Sequence, residues 1–266
     1  MAKKAHLIIN TLHLGTNMQK IKQLYRRDYL GEEVVRDLVW SHSVWNETRE
    51  YVPNNIINEQ ISNRAVVIGN GISRLELDRN LFNLLANHKA GLLASNAVQT
   101  YGCNALYREF HPDFLVANGP ELIDEIARSG YCDNEIVYST QNAVLDHPGK
   151  FYLTPQNPHW DAGAIAAYLA CFDGHEKIYL LGFDGHSGEE AAFYNAYAGT
   201  NAYPDRQSGS TEAFYSQSLK MVMDTYSDVE FVRVMPTDTW YMPELWKYQL
   251  NLTQIGWRDF VFDVDL

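Results

Sequence analysis

Apolar residues fall at two different spacings along this chain, and the change comes near residue 64. In VVRDLVWSHSVWNETREYV, residues 34–52, the spacing is a mixed i+3/i+4, and Val34, Val35, Leu38, Val39 and Val44 share one helical face. KIKQLYRR, residues 20–27, reads as a helix with a solvated basic side, and Pro53-Asn54-Asn55 breaks the pattern. Residues 1–60 are therefore expected to form a helical N-terminal extension packed on the main domain.

From residue 64 short apolar runs replace that spacing. Ala65-Val66-Val67-Ile68 is a continuous run of the kind that marks a strand buried on both faces. Leu92-Leu93-Ala94, Phe114–Ala117 and Val229–Val234 are further candidates. Glu135–Tyr138 and Phe151–Leu153 are weaker ones, and Lys177–Gly182 is the clearest after the first. Between them, 163–172 is almost wholly apolar and 210–226 is amphipathic. Strands alternating with helices predict an α/β fold, a Rossmann-like mostly parallel sheet with helices on both faces, over residues 61–235. Residues 236–266, with Trp240, Tyr241, Trp246, Trp257, Phe260 and Phe262, read as an irregular aromatic tail packed on that domain.

Composition narrows the function classes. With 266 residues, 46% of them hydrophobic, the chain can bury a real core. A net charge of −12 disfavours nucleic acid as a partner, since backbone binding needs a basic face. Aromatics make up 13% of the chain and 17 residues are Tyr, a type suited to pocket rims and interfaces. Cys103, Cys132 and Cys171 are too widely spaced for a disulfide framework or a CxxC metal site. No apolar run approaches the ~20 residues that span a bilayer. The start, MAKKAHLIINTLHLG, is too interrupted for a signal peptide, so a cytoplasmic location is expected.

Three segments carry the candidate chemistry. In VVIGNGISR, Gly69 and Gly71 follow a buried strand, and Ser73 adds a hydroxyl. Such a loop serves either a tight turn or an anion held against main-chain amides. Arg74 occupies the third glycine position of the dinucleotide fingerprint, which disfavours a dehydrogenase. In residues 100–118, Asn104 sits in a polar turn. Asn118 ends a strand, where a ligand is contacted or the next helix is capped. In residues 154–187, a polar loop with Gln156, Asn157, His159 and Asp161 enters a buried helix at Gly163, a helix start suited to an anion. The strand after that helix ends at Asp184 and His186; Asp184 binds a ribose or a metal there, or caps the turn. His159 and His186 are the histidines placed for general base work. No HxH or HExxH spacing indicates a metal site, and Glu189-Glu190 reads as a solvated helix start.

Together the three segments resemble the family of Campylobacter-type bacterial sialyltransferases, motility accessory factors and 6-hydroxymethylpterin diphosphokinase-like proteins. The matching residues are Gly69-Asn70-Gly71-Ile72-Ser73 for GNGPS, Asn104 in its turn, Asn118 in place of an Asp, Ala162-Gly163 opening the buried helix, and Ile178–Asp184 for IYLLGxD. The resemblance covers about residues 64–234. It implies a metal-independent nucleotide-sugar site of CMP type, with no tightly held cofactor, and a glycan or other hydroxyl acceptor as the second partner. Asn70, Gly71, Ser73, Asn104, Asn118 and Gly163 would contact the nucleotide. Tyr179, Tyr194, Tyr197 and Arg206 would steady the leaving phosphate, and 189–210 would form a lid. Three departures stand out. Ile72 replaces Pro, and Asp161 stands near the family's Ser or Thr. The stretch TNAYPDRQSGSTEAF lacks the catalytic His, which leaves Asp205, His159 or His186 as the base. A pterin pyrophosphokinase-like enzyme using ATP and Mg²⁺, and a non-catalytic binding protein on the same fold, are the alternatives; a homo-oligomer is compatible with each.

Overall fold

A computed structural model describes residues 21–27, 32–41, 44–53, 62–77, 81–87, 98–155, 158–184, 195–203 and 209–266. Eight strands form the parallel part of one sheet: β4 (Arg64–Ile68), β5 (Gln99–Cys103), β6 (Phe114–Ala117), β7 (Ile136–Ser139), β8 (Tyr152–Leu153), β9 (Lys177–Leu181), β10 (Glu230–Met235) and β11 (Leu252–Gly256). Their order is β11-β10-β9-β4-β5-β6-β7-β8. The chain thus runs outward from β4 to β8, then returns to lay β9 on the other side of β4. That reversal is the topological switch point of an open α/β sheet.

Successive residues of β4 face opposite layers. Val66 and Ile68 join the core under α1 (Leu81–Asn87), α2 (Pro120–Ser129), α3 (Gln141–Asp146) and α6 (Trp257–Asp263). Ala65 and Val67 join the core under α4 (Ala162–Phe172) and α5 (Gly209–Thr225). Helix α4 is apolar all round because it lies between the sheet and α5, with Ala162–Cys171 all buried. This is the expected Rossmann-like α/β architecture with helices on both faces.

Three expectations need correction. The helical extension is not what the structure has over 21–53. There β1 (Ile21–Arg27), β2 (Glu32–Ser41) and β3 (Val44–Pro53) form an antiparallel meander, joined to β8 by the parallel pair Arg26–Leu153. Five Val, three Tyr and two Trp punctuate this stretch, and such residues suit a pleated surface whatever their spacing. The basic segment at 21–27 is accordingly a strand. The tail is not irregular throughout, since residues 252–263 add β11 and α6 to the sandwich.

Finally, Leu92–Ala94 lies outside the described residues, while the polar QTYGC of β5 is a fully buried strand. It can be buried because its polar groups are paired. Asp113 accepts from Thr100 N and Thr100 Oγ1, both at 2.8 Å, and the Tyr101 hydroxyl donates to Asp173 at 2.6 Å.

Arg233 on β10 ties the tail to the sheet. Fully buried, it donates to the carbonyls of Phe183 (2.7 Å), Asp184 and Tyr241 (2.6 Å) and to Gln254 Oε1 (2.6 Å). Burial lowers its pKa to about 10, which leaves it charged at neutral pH. Arg233→Met would strand those acceptors in the interior. We expect a loss on the order of 3 kcal/mol in denaturant unfolding; a variant as stable as the parent would contradict this role.

Candidate functional site

A cavity of about 250 Å³ opens at the carboxyl edge of β4, β5, β6 and β9, at the switch point. Each strand delivers its lining through the residue or loop that follows it: Gly69 and Asn70 after β4, Asn104 after β5, Asn118 after β6, and Gly182–Asp184 after β9. The start of α4 adds Asp161 and Gly163. One side of the lining is aromatic, with Phe183, Tyr203, Phe214, Tyr215 and Trp246. A crevice with amides and an aromatic wall suits a small ligand that has a flat ring and polar substituents.

The glycine loop is built by contact with the β9 loop. Gly69 N donates to Leu181 O (2.7 Å) and Gly71 N to Gly182 O (2.9 Å). A Cβ on Gly69 would stand 2.7 Å from Gly182 O; one on Gly71 would stand 2.5 Å from the same oxygen and against the Asp184 carboxylate. Neither glycine is in the positive-φ region, so close approach, not turn geometry, demands them. Gly182 itself has φ +71°. Asp184 completes the latch by accepting from Ser73 N (2.9 Å) and the Ser73 hydroxyl. The amides of Gly69, Gly71 and Ser73 are thus engaged within the protein, and the loop presents the Asn70 side chain to the cavity. Gly71 and Ser73 do not line it. After Gly71 the chain enters a 3₁₀ turn, Ile72–Glu76, rather than an α-helix. Arg74 is buried there, 2.6 Å from Glu109.

Asn104 and Asn118 hold each other. Asn104 has φ +50°, a conformation Asn tolerates better than most residues, and its Oδ1 accepts from Asn118 N at 3.2 Å. Asn118 Nδ2 donates to Trp160 O (3.0 Å), while the N-cap of α2 is Gly119. Asn118 is therefore not the helix cap that the sequence left open. Cys103, beside Asn104, is no nucleophile: burial, and the nearby Asp161 charge, push its thiol up to about 12.

The bases and phosphate donors are placed unevenly. His159 is exposed, two residues before Asp161, and does not line the cavity. His186, Asp205, Tyr194 and Arg206 lie outside the described residues. Tyr179 donates to Asp263 at 3.2 Å and packs on Phe260, away from the cavity. Tyr197 is buried against Arg74 and donates to Glu109 at 2.5 Å. Tyr203, from the same segment, does reach the cavity. Of the stretch read as a lid, 195–203 is hydrogen-bonded to the segments beside the cavity. Ala196 N donates to Asn70 O (2.7 Å), and Arg108 holds Thr200 Oγ1 and Asn201 O. Sequence reading missed Tyr203, Phe214, Tyr215, Phe183 and Trp246, because nothing in an aromatic residue's neighbours tells a pocket wall from a core. Among the described residues no group of three or more His, Cys, Asp or Glu is gathered as for a metal ion.

Asp161 caps α4, its Oδ1 accepting from Gly163 N (2.9 Å) and Ala164 N (3.1 Å). The residue is partly exposed, but its carboxylate is buried, and desolvation pushes it up to about 6. No family model matches this chain, and neither a curated protein nor a solved structure matches it.

Two stability predictions follow from this geometry. Gly71→Ala is expected to cost more than about 2 kcal/mol in denaturant unfolding, because carbonyl and carboxylate must both give way. A cost below half that figure would mean that the two loops are not locked. For Asp161, the folded state binds the proton more tightly than the unfolded chain does, so its contribution is most favourable below about pH 4 and is lost as pH rises towards 6. Asp161→Asn keeps the capping oxygen and should remove this dependence, gaining on the order of 2 kcal/mol relative to the parent between pH 4 and pH 7.5. Parallel pH–stability curves for the two proteins would refute the assignment.

Proposed function

We propose that this chain binds the nucleotide part of an activated sugar, of CMP type, and is a metal-independent sialyltransferase-like glycosyltransferase. One observation carries the reading. Asn70, Asn104, Asn118 and Gly163, residues that the resemblance marks as nucleotide contacts, come from separate segments and line one cavity at the switch point of the sheet. Gly69 and Asp184 line it as well, so six of the eight nucleotide-contact candidates are on its wall, and Gly71 and Ser73 are not.

The chemistry such a transfer requires is modest in kind. The acceptor hydroxyl must lose a proton and the departing phosphate must be met by hydrogen-bond donors. The loop amides of Gly69, Gly71 and Ser73 are engaged, so side-chain donors on the wall take their place: the amide of Asn104 and the hydroxyl-bearing rings of Tyr203 and Tyr215. The aromatic side suits the base. Of the candidates for the proton acceptor, His186 precedes and Asp205 follows residues 195–203 in the sequence.

Thermal-shift titration with CMP, UMP, GDP and ATP·Mg²⁺ tests the reading. CMP at about 100 times its Kd is expected to add about 2.7 kcal/mol of stability to the parent. Asn104→Ala, which removes the contact to Asn118 N, should abolish most of that gain. Stabilisation by ATP·Mg²⁺ instead would favour the pyrophosphokinase class, and silence from every nucleotide a binding protein of another kind.

A further inference from the structure

Two oxygens on residues of the cavity wall form no hydrogen bond of ordinary length within the protein. Asn70 is only 7% exposed; its Nδ2 donates to the Tyr203 hydroxyl at 3.3 Å, and its Oδ1 is buried without a hydrogen bond. Asp161 spends Oδ1 on capping α4. Its Oδ2 is buried and forms no hydrogen bond of ordinary length, although the Ser218 hydroxyl of α5 lies close enough to favour the ionised carboxylate. A buried oxygen left unpaired costs free energy, and native structures retain few of them. Two such atoms on one cavity wall point to a ligand that satisfies them.

Both atoms are acceptors, and that decides the ligand's chemistry. A helix N-terminus with free amides would attract an anion. Here the first amides of α4 are already taken by a carboxylate, and a phosphate brought to the same place would meet a negative charge. Asp161, when ionised, has no proton to donate and can only accept.

We propose that Asp161 is the ligand-selecting residue of the cavity: its Oδ2, with Asn70 Oδ1, accepts hydrogen bonds from hydroxyl or amino groups of the ligand, and any phosphate lies elsewhere along the wall. A ribose diol and the exocyclic amine of a base share this chemistry. The titratable groups on the wall with Asp161 are Cys103, Asp184, Tyr203 and Tyr215; burial pushes the Cys103 thiol and the Tyr203 hydroxyl up, so both stay neutral near pH 7, and Asp184 is held by Ser73. The inference rests on the nucleotide reading only for its first probes.

Calorimetric titration of the parent, Asp161→Asn and Asp161→Ser with CMP, 2′-deoxy-CMP and UMP tests it. Asn and Ser are both good N-caps, so a folded protein is expected from each. CMP affinity should fall by about tenfold or more in both variants, the cost of one lost charged hydrogen bond. The fall should vanish for the analogue that lacks the relevant donor: 2′-deoxy-CMP if the ribose is read, UMP if the amine is read. Equal CMP affinity in all three proteins overturns the proposal. If no nucleotide binds the parent, the nucleotide reading fails, and thermal shifts with ribose, cytidine and inorganic phosphate decide the matter. Stabilisation of the parent, but not the variants, by ribose or cytidine supports the role of Asp161. Stabilisation by phosphate alone, or by none of the three, overturns it.

Discussion

Gly69 and Gly182 allow two main chains to cross in contact just beyond the ends of neighbouring strands, and the cavity is organised around that crossing. With side chains there, the loops after β4 and β9 would be forced apart, and the pair of backbone hydrogen bonds between them would be lost. The Asp184 carboxylate then fastens the crossing to Ser73, and Arg233 fastens Asp184 and Phe183 to the tail. Each of these groups is buried, so each needs its partner; removing one leaves a charge or carbonyl stranded. The same dependence that makes the latch costly to break gives the wall beside it a single shape.

That rigidity changes what the loop offers a ligand. A glycine-rich turn is usually valued for its amides, but here they are turned towards the neighbouring loop. What faces the cavity is Asn70, with one unpaired oxygen, and across α4's start a carboxylate in a similar state. Desolvation penalises the charged form of Asp161, and the two helix amides offset only part of that penalty. A protein selected for stability alone would carry Asn or Ser at this cap. Retaining a buried carboxylate is the kind of strain that binding sites hold and that the surrounding core, here α4 between the sheet and α5, supports.

Polar residues inside the sheet follow the same accounting. QTYGC forms a buried strand because Asp113 and Asp173 wait for its donors, and both come from outside the strand. This is why β5 escaped an apolar-run criterion that found β4, β6 and β9. The meander at 21–53 escaped for the opposite reason. Its apolar positions fit a helical period by accident, whereas its β-branched and aromatic composition favoured strands that pair with one another and with β8.

By itself the sequence determined the α/β class, the buried strands at 65–68 and 178–181, the wholly apolar helix between sheet and α5, the polar turn at Asn104, and the positions of Asn70, Asn118, Gly163 and Asp184 at strand or helix ends. These are local facts, set by apolar runs, small residues and breaks. Only the tertiary structure decided that the glycines are spent on a crossing, that Asp184 and Ser73 latch it, and that Tyr203, Phe214, Tyr215 and Trp246 share one wall. Partners more than a hundred residues apart settle such matters, as Ser73 and Asp184 are, and no periodicity along the chain records them.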